Sequence, residues 1–244
     1  MADYDVHGSG EPVVLVHGTT GSRGAWLMQV PALSGRWQVV LPYYASAGPA
    51  EVDDLVAQVV SVVDELGLGR FHLAGWSLGA VVAAALAAGL PERVRSLVLV
   101  SGWATSDAYM RFQFDLWQRL LADDHETFAR YAIADGFTGA WFDQVGDAAQ
   151  SIVPLMQAAL DEGSEALAEL DTRVDISSRL MSITAPTLVV GGTHDRFVPV
   201  EHSRRLAELI PGARLVELDA GHLVVTERGE ELADLLADFF ASVP

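Results

Sequence analysis

Two hydrophobic rhythms alternate along this chain. Short, continuous apolar runs closed by Gly or Pro are separated by longer stretches in which apolar residues recur every three or four positions. The runs "EPVVLVHG" (11–18), "WQVVLP" (37–42), "RFHLAGWS" (70–77), "RSLVLVSG" (95–102), "APTLVVGGTHD" (185–195) and "ARLVELDAGH" (213–222) predict strands. Their apolar residues are consecutive rather than alternating, which suits strands covered on both faces, as in a parallel sheet. Between them, residues 26–33 predict a short helix, and "AEVDDLVAQVVSVVDELGLG" places Val52, Leu55, Val56, Val59, Val60 and Val63 at helical spacing before Gly67 ends the pattern. "LGAVVAAALAAGL" (78–90), "PVEHSRRLAELIPG" (199–212) and "GEELADLLADFFASV" (229–243) predict three more helices. Strand and helix alternating in this way define an α/β fold, with a mostly parallel central sheet and helices on both faces.

The rhythm breaks at about Trp103. Residues 104–179 contain no buried strand pattern; they read as helical segments rich in aromatics, among them Tyr109, Phe112, Phe114, Trp117, Phe128 and Trp141. The expected organisation is therefore a core of residues 1–103 and 180–244 interrupted by a helical cap, residues 104–179.

One polar residue stands out in the strand-to-helix junction "AGWSLGA". Ser77 lies between a buried strand and an apolar helix, with Gly75 and Gly79 two residues away on either side. Such a serine must occupy a very tight turn, in which a side chain at 75 or 79 would strike the neighbouring strand or helix. The turn lifts the hydroxyl out of the sheet at its C-terminal edge and aims a helix N-terminus at the same point. Those features suit a nucleophile whose intermediate carries an oxyanion.

A serine nucleophile needs a base, and the base needs an orienting acid. In this architecture the chain order is serine, acid, histidine. His222, in the loop after the last strand, is the expected base. His125 reads as solvated, His202 as lying on a polar helix face, and His194 as shaping the turn of its neighbour. Asp195, at the C-terminal edge of its strand, is the expected acid. Asp219 sits too close to His222 in a tight turn to face it, and Asp107 is a weaker alternative. Two backbone donors complete the expectation: the N–H of Leu78 and the N–H of Thr19 in "HGTTGSRGAW", where Gly18 allows close approach and His17 braces the loop. A phosphate-loop reading of that segment fails, because the chain has no lysine and lacks the Gly-x-Gly-x-x-Gly spacing.

Ser77 in "GWSLG", the "HG" at 17–18, Asp195 in "GGTHDRFVP" and His222 in "AGH" together resemble the α/β-hydrolase fold superfamily, over essentially the whole chain. "GWSLGA" and "PERVRSLVLVSG" resemble small bacterial carboxylesterases related to the pimeloyl-ester hydrolase of biotin synthesis. "PTLVVGGTHDRFVPVEHSRRLAELIPGARLVELDAGH" is equally similar to enol-lactonases. The resemblance implies hydrolysis through an acyl-enzyme on Ser77, with His222 acting first as base and then as acid. One segment departs from the family. Where an acidic residue and a glycine-rich turn usually follow the second strand, the chain reads "LPYYASAGPAEV". Tyr43 and Tyr44 there either pack against the cap, reshape the acyl pocket or offer a phenol for proton transfer. Trp76, Met110, Phe114 and Trp117 are the remaining pocket candidates, and they favour an apolar acyl or alcohol group.

Three functions follow from these residues. The first is an ester, lactone or thioester hydrolase. The second is a lyase, C–C-bond hydrolase or cyclase on the same fold, kept open by the "PYYASAGP" loop (42–49). The third is a non-catalytic ligand receptor, disfavoured because all three members of the triad are present. Composition narrows the partners. The chain has 244 residues, no cysteine and a net charge of −18, with 14 acidic residues against 4 arginines between 104 and 178. Nucleic acid and anionic membrane surfaces are disfavoured. An acyl-carrier protein is disfavoured by the same acidity, although Arg111, Arg119 and Arg130 offer a basic patch. A small-molecule substrate, no cofactor or metal, a cytoplasmic location and a monomer or homodimer are the expectations, since neither a signal peptide nor a membrane span is visible.

Overall fold

The structure, a computed structural model, describes residues 3–20, 23–44, 51–160 and 163–243. Seven strands form one sheet: β1 (Asp3–His7), β2 (Glu11–Val16), β3 (Trp37–Tyr43), β4 (Phe71–Trp76), β5 (Val94–Val100), β6 (Thr187–Gly192) and β7 (Arg214–Leu218). Their order is β1-β3-β2-β4-β5-β6-β7, and every neighbouring pair is parallel except β1 with β3. β1 was not legible as a strand. "DYDVH" is polar and mostly exposed, and the edge position asks little of its side chains because its backbone pairs on one side only.

Helices α1 (Gln29–Ser34), α2 (Val52–Glu65) and α3 (Leu78–Gly89) follow the first strands. Helices α4 (Ala108–Asp123), α5 (His125–Gly136), α6 (Gly139–Val145), α7 (Ile152–Ala159) and α8 (Ser164–Asp171) lie between β5 and β6. Helices α9 (Val200–Leu209), α10 (Val224–Glu227) and α11 (Gly229–Ser242) complete the chain. No helix of the described residues is long and apolar enough to cross a membrane.

The continuous apolar runs are explained by the two cores. Successive residues of a strand point to opposite faces. Val14, Val16 and Leu73 join α2 and α3 on one side, while Val13, Leu15 and Ala74 join Leu33 of α1 and Leu232, Leu236 and Phe240 of α11 on the other. Helix α3 is buried along nearly its whole length, which is why it is built of alanine, valine and leucine without a polar face.

The helices between β5 and β6 leave and rejoin the sheet at a narrow neck. Ile176 N–H donates to the Ala104 carbonyl and Ser106 N–H to that of Val174. Within them Phe114, Trp117 and Phe128 pack ring on ring, and Trp117 meets Phe197, two residues beyond Asp195, at 4.8 Å between centroids. Since β2, β4, β5, β6 and β7 run parallel, the segments that follow them gather at one sheet edge: 17–20, 77–78, 193–198 and 219–223.

Candidate active site

Ser77 follows β4 directly. Its N–H donates to the Val100 carbonyl (2.9 Å), and its backbone takes φ 58° and ψ −126° before α3 begins at Leu78. A non-glycine residue held there stores on the order of 1–3 kcal/mol of strain. The flanking glycines are enforced by backbone, not by side chains that could yield. A Cβ at position 75 would lie 2.0 Å from the Gly79 carbonyl oxygen, and one at position 79 would lie 2.3 and 2.4 Å from those of Val16 and His17.

The structure brings Ser77, His222 and Asp195 into one line. Ser77 Oγ is 3.0 Å from His222 Nε2, and His222 Nδ1 is 2.8 Å from Asp195 Oδ2. All three are buried. With Nδ1–H donating to the carboxylate, Nε2 is left to accept from the serine hydroxyl. Asp195 is itself held, because its Oδ1 accepts the backbone N–H groups of Phe197 (2.9 Å) and Val198 (2.8 Å). The ring of Phe197 packs edge-on to His222 at 5.3 Å, and Trp76 Nε1 donates to the His222 carbonyl at 3.0 Å.

The His222 loop is also tied to α5 and α6. Leu223 N–H donates to the Gly136 carbonyl, and the Glu227 carboxylate joins Gly221 N–H (2.9 Å) to the N–H and hydroxyl of Thr138. The other histidines and acids are engaged elsewhere. His194 pairs with Asp219, whereas Asp107 caps α4 through Met110 N–H and pairs with His202.

Leu78 is the first residue of α3, so its N–H has no carbonyl one turn back to bond. Thr19 lies opposite, after β2, and lines the same small cavity as Ser77 and His222. His17 braces this loop. Tyr44 N–H donates to His17 Nε2, which leaves the proton on Nδ1 to bond the Gly18 carbonyl at 2.9 Å. The Tyr44 ring stacks on His17 at 4.2 Å, and its hydroxyl donates to the His17 carbonyl. The Thr19 hydroxyl meets Asp171 Oδ2 at 2.5 Å, a contact across 152 positions of sequence.

The space in front of Ser77 measures about 10 Å³ and is lined by Thr19, Thr20, Trp76, Trp117, Met156 and Leu223 among others. It adjoins a groove of about 330 Å³ that shares Thr20, Trp76, Met156 and Leu223 and continues past Leu27, Leu155 and Val225. Among the described residues, no charged residue lines that groove.

Trp76 and Trp117 of the expected pocket therefore stand at the cavity, but four expectations are corrected. Met110 and Phe114 lie instead in the buried cluster that holds Trp103 and the apolar face of α8, against which α4 packs. Tyr43 and Tyr44 stack on His17 behind the loop and line neither space. The Tyr44 phenol is fully buried and already donates to a carbonyl, and burial pushes its pKa well above the ordinary phenol value. It is not free for proton transfer. The rest of that segment, residues 45–50, lies outside the described residues.

Residues that sequence reasoning missed include Thr20, Met156 and Leu223 at the cavity, Glu227 behind His222, and Asp171 behind Thr19. Only Asp171 left a trace. Ser164, Leu167, Ala168 and Asp171 recur at helical spacing on the buried face of α8, so an acid occupies a core position.

The chain belongs to the alpha/beta hydrolase fold family, whose model matches residues 11–228. It is 35% identical over 253 positions to pyrrolizixenacetamide deacetylase of Xenorhabdus hominickii, covering 99% of this chain and 95% of that protein. Among solved structures it is similar to a thermophilic esterase from Thermogutta terrifontis, with a TM-score of 0.88 and 26% identity over 99% of this chain and 93% of the other. The enol-lactonase of Burkholderia xenovorans shares the fold, with a TM-score of 0.90 and 24% identity over 98% and 96% of the two chains.

Proposed function

We propose that this protein is a serine hydrolase that cleaves a neutral carboxylic ester, lactone or thioester through an acyl-enzyme on Ser77. The observation that carries this reading is the buried line from Ser77 Oγ to His222 to Asp195, at 3.0 and 2.8 Å, opening on the small cavity. Ser77 Oγ attacks the carbonyl carbon as its proton passes to His222 Nε2. The oxyanion that forms is met by the N–H groups of Leu78 and Thr19. Collapse breaks the bond to the leaving group, which takes the proton back from His222, and water then repeats the sequence on the acyl-enzyme.

Cavity shape supports a short acyl group. The space at Ser77 admits about one water-sized group such as a methyl, so it favours the shortest acyl groups over long ones. The groove, whose described lining residues are uncharged, includes Leu223, next to the base that must protonate the leaving group, and suits a bulky apolar alcohol or amine. A second bond type is favoured by a relative's name: the 35% identical protein is a deacetylase of an acetamide, which adds the amide C–N bond to the candidates. The lyase, C–C-bond hydrolase and cyclase alternatives lose one of the features that kept them open, since the Tyr44 hydroxyl is engaged inside the fold. In this reading α4–α8 form a lid over the site.

The test is hydrolysis of p-nitrophenyl esters from acetyl to dodecanoyl and of a neutral N-acetyl arylamine, with Ser77→Ala as control. Turnover should be fastest with acetyl, fall with acyl length and vanish in Ser77→Ala. Turnover that survives in Ser77→Ala, or none with any substrate from folded protein, would overturn the proposal.

A further inference from the structure

Asp171 is the last residue of α8 and is completely buried. Its Oδ2 lies 2.5 Å from Thr19 Oγ1, and its Oδ1 has no hydrogen-bond partner. Burying a carboxyl with one oxygen unsatisfied lowers stability, and an apolar side chain would serve packing better. The position is nonetheless firmly built. The Asp171 carbonyl accepts from Ser106 Oγ at 2.6 Å, Ser106 Oγ accepts from Trp103 Nε1 at 3.0 Å, and Arg111 donates to the Ser106 carbonyl. Trp103 is fully buried just beyond β5. A rigid path thus runs from the sheet through Trp103, Ser106 and Asp171 to Thr19, which shares the small cavity with Ser77. Stability given up at a residue whose side chain bonds only the loop facing the nucleophile is a mark of function rather than of folding.

We propose that Asp171 is a positioning residue: by holding the Thr19 hydroxyl it sets the backbone of the loop whose N–H meets the oxyanion, so that α8 is part of the catalytic apparatus. The proposal rests on the reading of Ser77 as nucleophile and of Thr19 as an oxyanion donor. Tyr44 holds the loop at His17, whereas the Asp171 carboxyl is bonded to Thr19 itself. Loss of one oxyanion donor costs about 10²–10³ in rate, and a donor displaced rather than removed costs less.

Four variants test this: Asp171→Asn, whose amide oxygen can still accept from Thr19 Oγ1, Asp171→Leu, which has the volume but not the bond, Thr19→Val, and the Thr19→Val/Asp171→Leu double variant. One readout is the rate of covalent labelling of Ser77 by a fluorophosphonate, in which the Oγ–P bond forms, the P–F bond breaks and the proton leaves through His222. The other is hydrogen exchange of the peptide spanning residues 17–20, which needs no chemistry at Ser77. Asp171→Asn should label within about threefold of the parent. Asp171→Leu should label about 10- to 100-fold more slowly with faster exchange at 17–20, and the double variant should be no slower than the slower single variant. Should Asp171→Leu fail to fold, Thr19→Val carries the same expectation with the acid in place. Parent-like labelling by Asp171→Leu or Thr19→Val, unchanged exchange at 17–20, or fully additive losses would overturn the proposal. A folded parent that does not label at all would instead overturn the reading of Ser77, while the exchange measurement still reports whether Asp171 holds the loop.

Discussion

Replacing Asp171 by Asn should make the protein more stable, and by an amount that grows with pH. Burial pushes the Asp171 carboxyl up to about 8 from an ordinary 3.8, against a smaller opposing pull from the Thr19 hydroxyl. Tyr44 is the titratable neighbour, and its own shift, owed to burial and then to the Asp171 charge, leaves it neutral throughout this range. The sign follows from proton counting. Below pH 3.8 the carboxyl is protonated in both folded and unfolded chains and makes no difference. Between 3.8 and 8 the unfolded chain releases the proton and the folded chain keeps it, so stability falls as pH rises. Above 8 both states are ionised and the loss stops growing. A span of about 4 pH units at about 1.4 kcal/mol per unit makes the full loss roughly 6 kcal/mol. Asn carries no titrating proton and keeps an amide oxygen to accept from Thr19 Oγ1, so it escapes this loss. Urea unfolding of parent and variant at each pH from 4 to 9 measures the difference, and the carboxylates common to both cancel. The stability gained by Asp171→Asn should be small at pH 4, rise through pH 7 and level off above 8. A difference that stays flat from pH 4.5 to 7.5, or that shrinks as pH rises, would refute the reasoning.

The remaining predictions concern the nucleophile turn and the triad. Gly79→Ala places a Cβ against the backbone oxygens of Val16 and His17, neither of which can swing away, and should cost about 3 kcal/mol or more in urea unfolding. Asp195→Asn should lower kcat about 10³–10⁴-fold with little change in melting temperature, because the amide cannot hold His222 in the tautomer that accepts from Ser77. Near-normal turnover by that variant would take the orienting role away from Asp195.

What could be read from the chain, and what could not, divides along physical lines. The strands were legible because burial on both faces writes itself as consecutive apolar residues, as in Val13 to Val16 and Leu97 to Val100. The turn at Ser77 was legible because two close backbone approaches demand glycine at fixed offsets. β1 was hidden because an edge strand spends backbone bonds and asks little of its side chains. The cavity was misjudged for a related reason. Met110 and Phe114 have the composition of pocket residues, yet an aromatic in a two-layer insertion serves the core or the cleft according to helix rotation, which composition does not encode. Tyr43 and Tyr44 depart from the family pattern, and in the structure both rings stack on His17 while Tyr44 braces the loop through its N–H and hydroxyl. Asp171 is the instructive case. Its position on the apolar stripe of α8 marks it as anomalous, but its partner lies 152 residues away, so the anomaly acquires a role only when β2 and α8 meet. Helices α5 and α6 pin the His222 loop through Gly136 and Thr138, and α8 pins the Thr19 loop through Asp171. Both loops that must stay fixed around Ser77 are thus fixed by the inserted helices. A change in how those helices dock would therefore act together on His222 and on the Thr19 loop, the base and the oxyanion donor of the proposed mechanism, so under that mechanism kcat rather than binding alone should respond to substitutions at that seam.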